Sequence, residues 1–69
     1  MPYVNIKITP EGVTTDHKRR LIHGVTQLLV DVLDKDPKAT MVVIDLVDAD
    51  DWGFKGQSVS TLRKQEQAK

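Results

Sequence analysis

The amino terminus carries the least common chemistry of the sequence, because Met1 is followed directly by Pro2. Removal of Met1 is expected, since the second residue is small, and it would leave the Pro2 nitrogen as a free secondary amine. An ordinary α-amino group titrates at about 7.7–8.0, and burial beside apolar groups or cations lowers that pKa. Such a base can abstract a proton next to a carbonyl. Taken alone, however, the Met-Pro pair favours an inert proline at a strand edge.

Other catalytic and metal-binding patterns are missing or incomplete. The 69 residues include no cysteine, and no Gly-rich phosphate loop or nucleophile turn occurs. His17 and His23 lie six residues apart, which puts them on different faces of a helix and argues against a zinc site. Asp48, Asp50 and Asp51 lack the spacing and the closing glutamate of a calcium loop, so an acidic turn is expected there.

Length and charge restrict the class of protein. Ten basic residues balance ten acidic residues, whereas a nucleic-acid surface needs a basic excess. No apolar stretch is long enough to span a membrane and no signal peptide is evident, so a soluble cytoplasmic protein is the default expectation. A domain of this size buries only about 60% of its unfolded surface. Without disulfides, oligomerisation is the remaining source of stability.

The elements that position these groups follow from hydrophobic periodicity. Residues Tyr3–Thr9 alternate between apolar and polar side chains, which predicts a half-buried strand, and Pro10–Gly12 breaks it. A helix is expected from an N-cap at Thr14 or Thr15 to about Asp34, and Lys35–Pro37 is expected to end it. Its apolar residues recur at helical spacing: Leu21, Ile22, Val25, Leu28, Leu29, Val32 and Leu33.

A second apolar run, Met41–Val47, is rich in β-branched residues and predicts a strand covered on both faces. Strand, helix and strand form a βαβ unit with parallel strands and a right-handed crossover. The helix, through Leu21, Val25, Leu28 and Val32, is expected to pack across one face of the sheet. The other face, with Met41, Val43 and Val47, needs a partner.

The carboxyl-terminal third is expected to add little regular structure. Asp48–Gly56 reads as a turn-rich loop with two aromatic residues, and Ser58–Leu62 could form a short strand that pairs across a subunit interface. The prediction is one α/β domain over residues 1–62, followed by a polar tail over residues 63–69. Its fold class is a single βαβ unit with parallel strands and a short C-terminal hairpin or strand, a two-layer sandwich completed by oligomerisation.

Four segments together resemble the 4-oxalocrotonate tautomerase family: Met1–Ile8, Thr15–Lys18, Val43–Asp45 and Trp52–Gly56. The resemblance extends to about Ser60, and the opening and the aromatic-Gly-x-x-Gly loop are its most specific parts. It implies compact βαβ subunits that assemble as trimers of dimers. It also implies an amino-terminal proline that moves a proton between an enol oxygen and a carbon, with no metal or organic cofactor.

The resemblance assigns site residues position by position. The catalytic proline corresponds to Pro2 and the aromatic residue of the pocket to Trp52. Two substrate-binding arginines of the best-known members correspond to Val13 and Met41, and a common acidic residue corresponds to Leu46. Neither Val nor Met can replace the bidentate, charge-assisted recognition of a carboxylate by arginine. Four lysines could substitute from a neighbouring subunit: Lys7, Lys35, Lys38 and Lys55.

Two main functions remain open, with a third behind them. The leading hypothesis is a tautomerase that interconverts keto and enol forms of a 2-oxo acid or related carbonyl compound, with Pro2 as the base. The alternative is a non-catalytic oligomeric binding or assembly protein that retains the fold, because both arginines are missing. The third is a Pro2 that acts as a nucleophile or activates water. In the enzymatic case the partners are a small carbonyl substrate and further copies of the chain, most simply a hexamer.

Overall fold

A computed structural model describes residues 1–67 of the 69-residue chain. Strands β1 (Tyr3–Ile8) and β2 (Met41–Leu46) form a parallel two-stranded sheet, and helix α1 (Thr15–Leu33) connects them. The register pairs Tyr3 with Met41 at one end and Ile8 with Leu46 at the other. The predicted parallel βαβ unit is therefore confirmed.

Helix α1 has well-defined ends. The Thr14 hydroxyl accepts a hydrogen bond from the His17 N–H at 3.1 Å, and His17 Nδ1 accepts one from the Thr14 N–H at 3.2 Å, so a capping box starts the helix. At the other end Asp34 adopts a left-handed conformation with φ 54°, and its N–H donates to Val30. The helix ends at Leu33, ahead of the segment predicted to stop it. A short 3-10 turn, Pro37–Ala39, leads into β2.

The apolar stripe of α1 is only partly covered by the sheet. Val25, Leu29 and Val30 are half-buried, whereas Leu28 and Val32 are 59% and 69% exposed. The prediction that Leu28 and Val32 pack across the strands is therefore wrong for a single copy of the chain. Two strands about 4.8 Å apart form too narrow a sheet to cover the full width of this stripe. Among residues 1–67 no hydrophobic side chain is fully buried.

The other face of the sheet is open in a single chain. Met41 and Val43 are 47% and 41% exposed. This agrees with the prediction from the sequence that a single chain does not cover this face. Polar side chains cross the same face. The Asp45 carboxylate accepts hydrogen bonds from the Lys7 ammonium and the Asn5 amide, each at 2.9 Å. The open face thus combines apolar and paired charged groups.

The carboxyl-terminal third is more regular than the sequence suggests. After a 3-10 turn, Ala49–Asp51, strands β3 (Gly53–Phe54) and β4 (Gln57–Ser58) form an antiparallel hairpin, which agrees with the predicted C-terminal hairpin. Helix α2 (Val59–Gln67) follows immediately.

The predicted strand over Ser58–Leu62 is wrong beyond its first residue. The Ser58 hydroxyl accepts a hydrogen bond from the Thr61 N–H at 3.1 Å and so caps the start of α2. Residues 63–67 of the expected tail are exposed but helical, and Ala68 and Lys69 lie outside the described residues. Neither helix is long and apolar enough to cross a membrane within the described part of the chain.

Candidate functional site

The parallel register brings two of the predicted site residues together at the amino end of the sheet. The Met41 N–H donates a hydrogen bond to the Pro2 carbonyl at 3.1 Å, one position before the first strand pair. Pro2 is half-buried, while Met1 is 87% exposed. We call this region, Pro2 with Met41, the amino edge. The hydrogen bond from Met41 fixes the backbone at Pro2, while Met1 stays exposed to solvent.

The other two predicted residues lie at the opposite end of the sheet. Val13 precedes α1 in the loop that leaves β1, and Trp52 follows the turn that leaves β2. Strands of six residues are about 20 Å long, so Val13 and Trp52 are roughly that far from Pro2. We call the region that holds Trp52, β3, β4 and α2 the carboxyl edge. Within one chain, the predicted residues therefore do not come together in one site.

Trp52 lines a groove of about 510 Å³ between the β3–β4 hairpin and α2. The Val59 N–H donates to the Trp52 carbonyl at 2.7 Å, which holds the start of α2 against this residue. Phe54 provides a second aromatic ring on the groove. Lys55 and Arg63 contribute cationic groups, and Glu66 contributes an acidic one. A groove of this size, with aromatic walls and a few charged groups, has the character of a small-molecule site.

Lys55 is held in an uncommon conformation at the tip of the hairpin. The two-residue turn Lys55–Gly56 has φ values of 57° and 79°, and positive φ at both positions is the requirement of a type I′ turn. Gly56 meets this requirement without steric cost, but Lys55 does not. The Lys55 ammonium lies 5.3 Å from the centroid of the Phe54 ring, within the range of a cation–π interaction.

An ion pair joins the carboxyl edge to the loop before Val13. The Arg63 guanidinium donates to the Glu11 carboxylate. The Thr9 hydroxyl, followed by Arg63, lowers the pKa of Glu11 below its ordinary value. Both side chains are about half exposed, so the pair orients α2 more than it stabilises the fold. The guanidinium of Arg63 is therefore already engaged.

A smaller cavity of about 250 Å³ lies on the other side of Trp52, where Lys7, Val47 and Asp51 contribute to its walls. The Lys7 ammonium is 2.9 Å from Asp45 Oδ2. Lys7, followed by the Asn5 amide, lowers the pKa of the Asp45 carboxyl. The positive charge on Lys7 is thus compensated within the chain.

Val13 belongs to a third cavity, of about 510 Å³, at the start of α1. It shares this cavity with His17, Arg20 and Leu21, and not with Trp52. The structure therefore separates two residues to which the resemblance assigned substrate binding. For metals, residues 1–67 contain no group of three or more histidine or acidic side chains arranged to hold an ion.

Arg63 is the functional-site candidate that the sequence reasoning missed, because it was assigned to a polar tail. A signal was available in the sequence. Ser58 is a favourable helix cap, and Val59 and Leu62 follow at the three-residue spacing of one helix face. An amphipathic helix that packs back onto the Trp52 loop would have placed Arg63 at the groove.

Comparison with known proteins gives one consistent result. The family model described as tautomerase enzyme matches residues 2–62. A probable tautomerase of Dickeya dadantii is 57% identical over 65 residues, which cover 94% of this chain and 97% of the relative. The crystal structure of DmpI from Helicobacter pylori matches with a TM-score of 0.83 and 44% identity, over 87% of this chain and 98% of that one. An apo structure of an unfused 4-OT matches with a TM-score of 0.78 and 31% identity, over 88% and 98% of the two chains.

Proposed function

The chain belongs to the 4-oxalocrotonate tautomerase family of enzymes, and we propose that it catalyses keto–enol proton transfer on a 2-oxo acid or related carbonyl compound. The base is the amino nitrogen of Pro2 after removal of Met1. In one direction this nitrogen accepts a proton from the carbon next to the carbonyl, and the enol oxygen takes up a proton. In the other direction the same nitrogen returns the proton to carbon.

The observation that carries this proposal is the anchoring of Pro2 at the amino edge. Its carbonyl is fixed by the Met41 N–H, and the residue is half-buried at the start of β1. The ring of proline restricts φ and hence the direction of the nitrogen lone pair. A base that is held in place by the sheet needs little reorganisation before it reacts. Met1 is 87% exposed, so its removal leaves the packing of the domain intact.

The separation of the two edges supports an oligomeric active site. Pro2 lies about one strand length, roughly 20 Å, from the Trp52 groove of its own chain. A substrate between the two residues therefore requires Pro2 from one copy and Trp52 from another. The exposed faces of α1 and of the sheet supply the apolar surface for such an assembly. We propose a homo-oligomer, and the family resemblance favours a hexamer built as a trimer of dimers.

Within this assembly the groove residues have distinct tasks. Trp52 and Phe54 supply aromatic surface that excludes water from the substrate, which keeps the protonated form of the Pro2 amine less favourable. Met41, beside Pro2, adds apolar surface at the amino edge. Val13 stays a candidate substrate contact at the entrance to α1. No step in this scheme draws on a metal or an organic cofactor.

A second function, a non-catalytic binding or assembly protein, is favoured by what the resemblance implies at two positions. It assigns the family's substrate-binding arginines to Val13 and Met41, and neither side chain can hold a carboxylate. In that case the fold and the oligomer are retained while turnover is lost. The experiment on the amine of Pro2 separates the two functions.

The test uses one preparation before and after treatment with methionine aminopeptidase, with the intact mass measured at each stage. We expect the processed chain to ketonise the enol of phenylpyruvate about 10²- to 10⁴-fold faster than the chain that retains Met1, the range typical of a positioned base. Circular dichroism and sedimentation of both samples control for folding and assembly. Equal rates in the two samples would refute Pro2 as the base. Absence of turnover in the processed chain would favour the non-catalytic function.

A further inference from the structure

The proposed reaction lacks an obvious group to hold the substrate's carboxylate. By the family resemblance, the substrate-binding arginines correspond to Val13 and Met41 in this chain, and both residues are apolar. A carboxylate that leaves water for a protein groove needs a cationic or strongly donating partner. Some other residue near the aromatic groove must therefore take this role if the substrate is a 2-oxo acid.

We propose that Lys55 binds the carboxylate of the substrate in the Trp52 groove. The proposal rests on the tautomerase function proposed above and names the residue that selects an acidic substrate. The ε-ammonium donates a charge-assisted hydrogen bond to the carboxylate. The carbonyl end of the substrate then faces Trp52 and the Pro2 of another copy.

The first argument is location. Lys55 lines the groove of about 510 Å³ that Trp52 and Phe54 also line. Lys7 also shares a cavity with Trp52, but that cavity is half the size, at about 250 Å³. Lys35 and Lys38 line none of the three cavities described above.

The second argument is charge. Lys7 is paired with Asp45 at 2.9 Å, and Arg63 is paired with Glu11. Lys55 makes no ion pair within residues 1–67, and its ammonium group lies over the ring of Phe54. The ammonium group is therefore oriented over the groove by an aromatic ring while its charge stays available for a ligand. A cation that a ring face already attracts can still donate hydrogen bonds to an anion.

The third argument is the backbone at the hairpin tip. A type I′ turn favours Asn or Gly at its first central position, and this chain has Lys55 there with φ 57°. A non-glycine side chain held in a conformation that disfavours it is a candidate for a role beyond the turn itself. The same conformation allows a substitution that removes the charge and keeps the turn. Lys55→Asn removes the charge and places the preferred Asn-Gly pair in the turn.

Kinetics with two matched substrates test the proposal. The processed wild-type chain and the Lys55→Asn variant are compared on the enol of phenylpyruvate and on that of its methyl ester, which lacks the negative charge. We expect Lys55→Asn to raise KM about tenfold for the acid and to leave kcat/KM for the ester within twofold. Lys55→Arg should restore most of the acid activity. Lys64→Gln removes a positive charge from α2 outside the groove and should behave as wild type.

Binding of an unreactive ligand gives a second readout that does not depend on catalysis. Trp52 is the only tryptophan of the chain, so its fluorescence reports on this groove. Phenylacetate should bind about tenfold more weakly to Lys55→Asn than to wild type, while neutral phenylacetamide binds both equally. Thermal melting should show the variant to be at least as stable as wild type, because the turn is relieved of strain.

The outcomes separate the two proposals. If the processed wild-type chain turns over neither the acid nor the ester, the tautomerase function fails, and the phenylacetate titration then decides the role of Lys55 alone. If Lys55→Asn binds phenylacetate as tightly as wild type does, Lys55 is not the carboxylate ligand. Equal losses on acid and ester would also overturn the proposal, since they indicate a general disturbance of the groove.

Discussion

The two ends of the β1–β2 sheet carry different halves of the candidate site. The amino edge holds the candidate base, fixed by a hydrogen bond of 3.1 Å between Met41 and Pro2, but none of the three described cavities includes Pro2. The carboxyl edge has a groove with two aromatic rings and charged groups, but Pro2 does not line it. A parallel sheet keeps these halves one strand length apart. The proposed function therefore needs the two edges to meet between different copies of the chain.

The same division appears in how the two edges are stabilised. The amino edge depends on backbone pairing between strands that lie almost 40 residues apart in sequence. The carboxyl edge is local, since the hairpin, the Ser58 cap and α2 all lie within residues 53–67. A single side-chain ion pair, between Arg63 and Glu11, then attaches it to the rest of the domain within residues 1–67. The candidate base therefore lies on the part of the fold that forms through long-range contacts, and the groove lies on a part built from neighbouring segments.

The largest effect should come from disabling one edge in each of two chains. Trp52→Ala should lower kcat/KM by about 10- to 100-fold, because the aromatic wall that excludes water is lost. A chain with Pro2 blocked by a retained Met1 should also be nearly inactive. When the two chains are unfolded together and refolded, the mixed oligomer should recover activity well above the sum of its parents, because some sites combine an intact Pro2 with an intact Trp52.

The control for this mixing experiment carries both defects in one chain and is refolded with wild type, which should yield no more activity than dilution predicts. Mixed oligomers that stay as inactive as their parents would mean that Pro2 and Trp52 of the same chain serve the same site. The proposed separation of the two edges would then be wrong.

An intermediate effect is expected at the exposed side of α1. Leu28 is 59% exposed in the single chain, so its truncation should matter only where a second copy covers it. Leu28→Ala should cost about 2–5 kcal/mol of unfolding free energy if assembly buries it fully, and the cost should grow with protein concentration in denaturant titrations. Arg19→Ala, at an exposed position of the same helix, is the matched control. A loss below about 0.5 kcal/mol at every concentration would place Leu28 outside any interface.

The smallest effect concerns the exposed ion pairs. The pKa values of Glu11 and Asp45 are lowered by their hydrogen-bonded partners. A lowered carboxyl pKa contributes stability above the ordinary pKa and loses it as the pH falls toward the lowered value. Stability should therefore decrease slightly between about pH 5 and pH 2, and Glu11→Gln and Asp45→Asn should each flatten that dependence. Denaturant titrations across this range, with identical slopes for variants and wild type, would contradict the expectation.

The sequence predicts most of the fold because its strongest patterns are local. Alternation at Val4, Ile6 and Ile8 predicts β1, and the Thr14 cap predicts the start of α1. The burial of Leu28 could not be predicted, because the helical stripe is wider than a two-stranded sheet and the sequence does not say which part of the stripe meets it. The sequence predicts a strand at Ser58, whereas the Ser58 hydroxyl caps a helix. Serine side chains can bond to the backbone at a helix start, and a short β-branched segment does not show whether a strand or this cap forms.

The sequence predicts less of the candidate site than of the fold. The pairing of Pro2 with Met41 follows from the parallel register and from nothing else in the sequence. The separation of Val13 from Trp52 into different cavities, and the approach of Arg63 to the groove, depend on how the hairpin and α2 pack. These contacts join segments up to 52 residues apart, and neither composition nor periodicity encodes them.

The hydrogen bond between Met41 and Pro2 also imposes an order in time on the newly made chain. Pro2 leaves the ribosome first, and its partner on β2 is synthesised 39 residues later, which at about 5–20 residues per second is a delay of several seconds. Until β2 is made, the terminus has no strand to pair with. Under the proposed function, an amine released during this interval would form on an unpaired end and become part of a fixed geometry only when the second strand arrives.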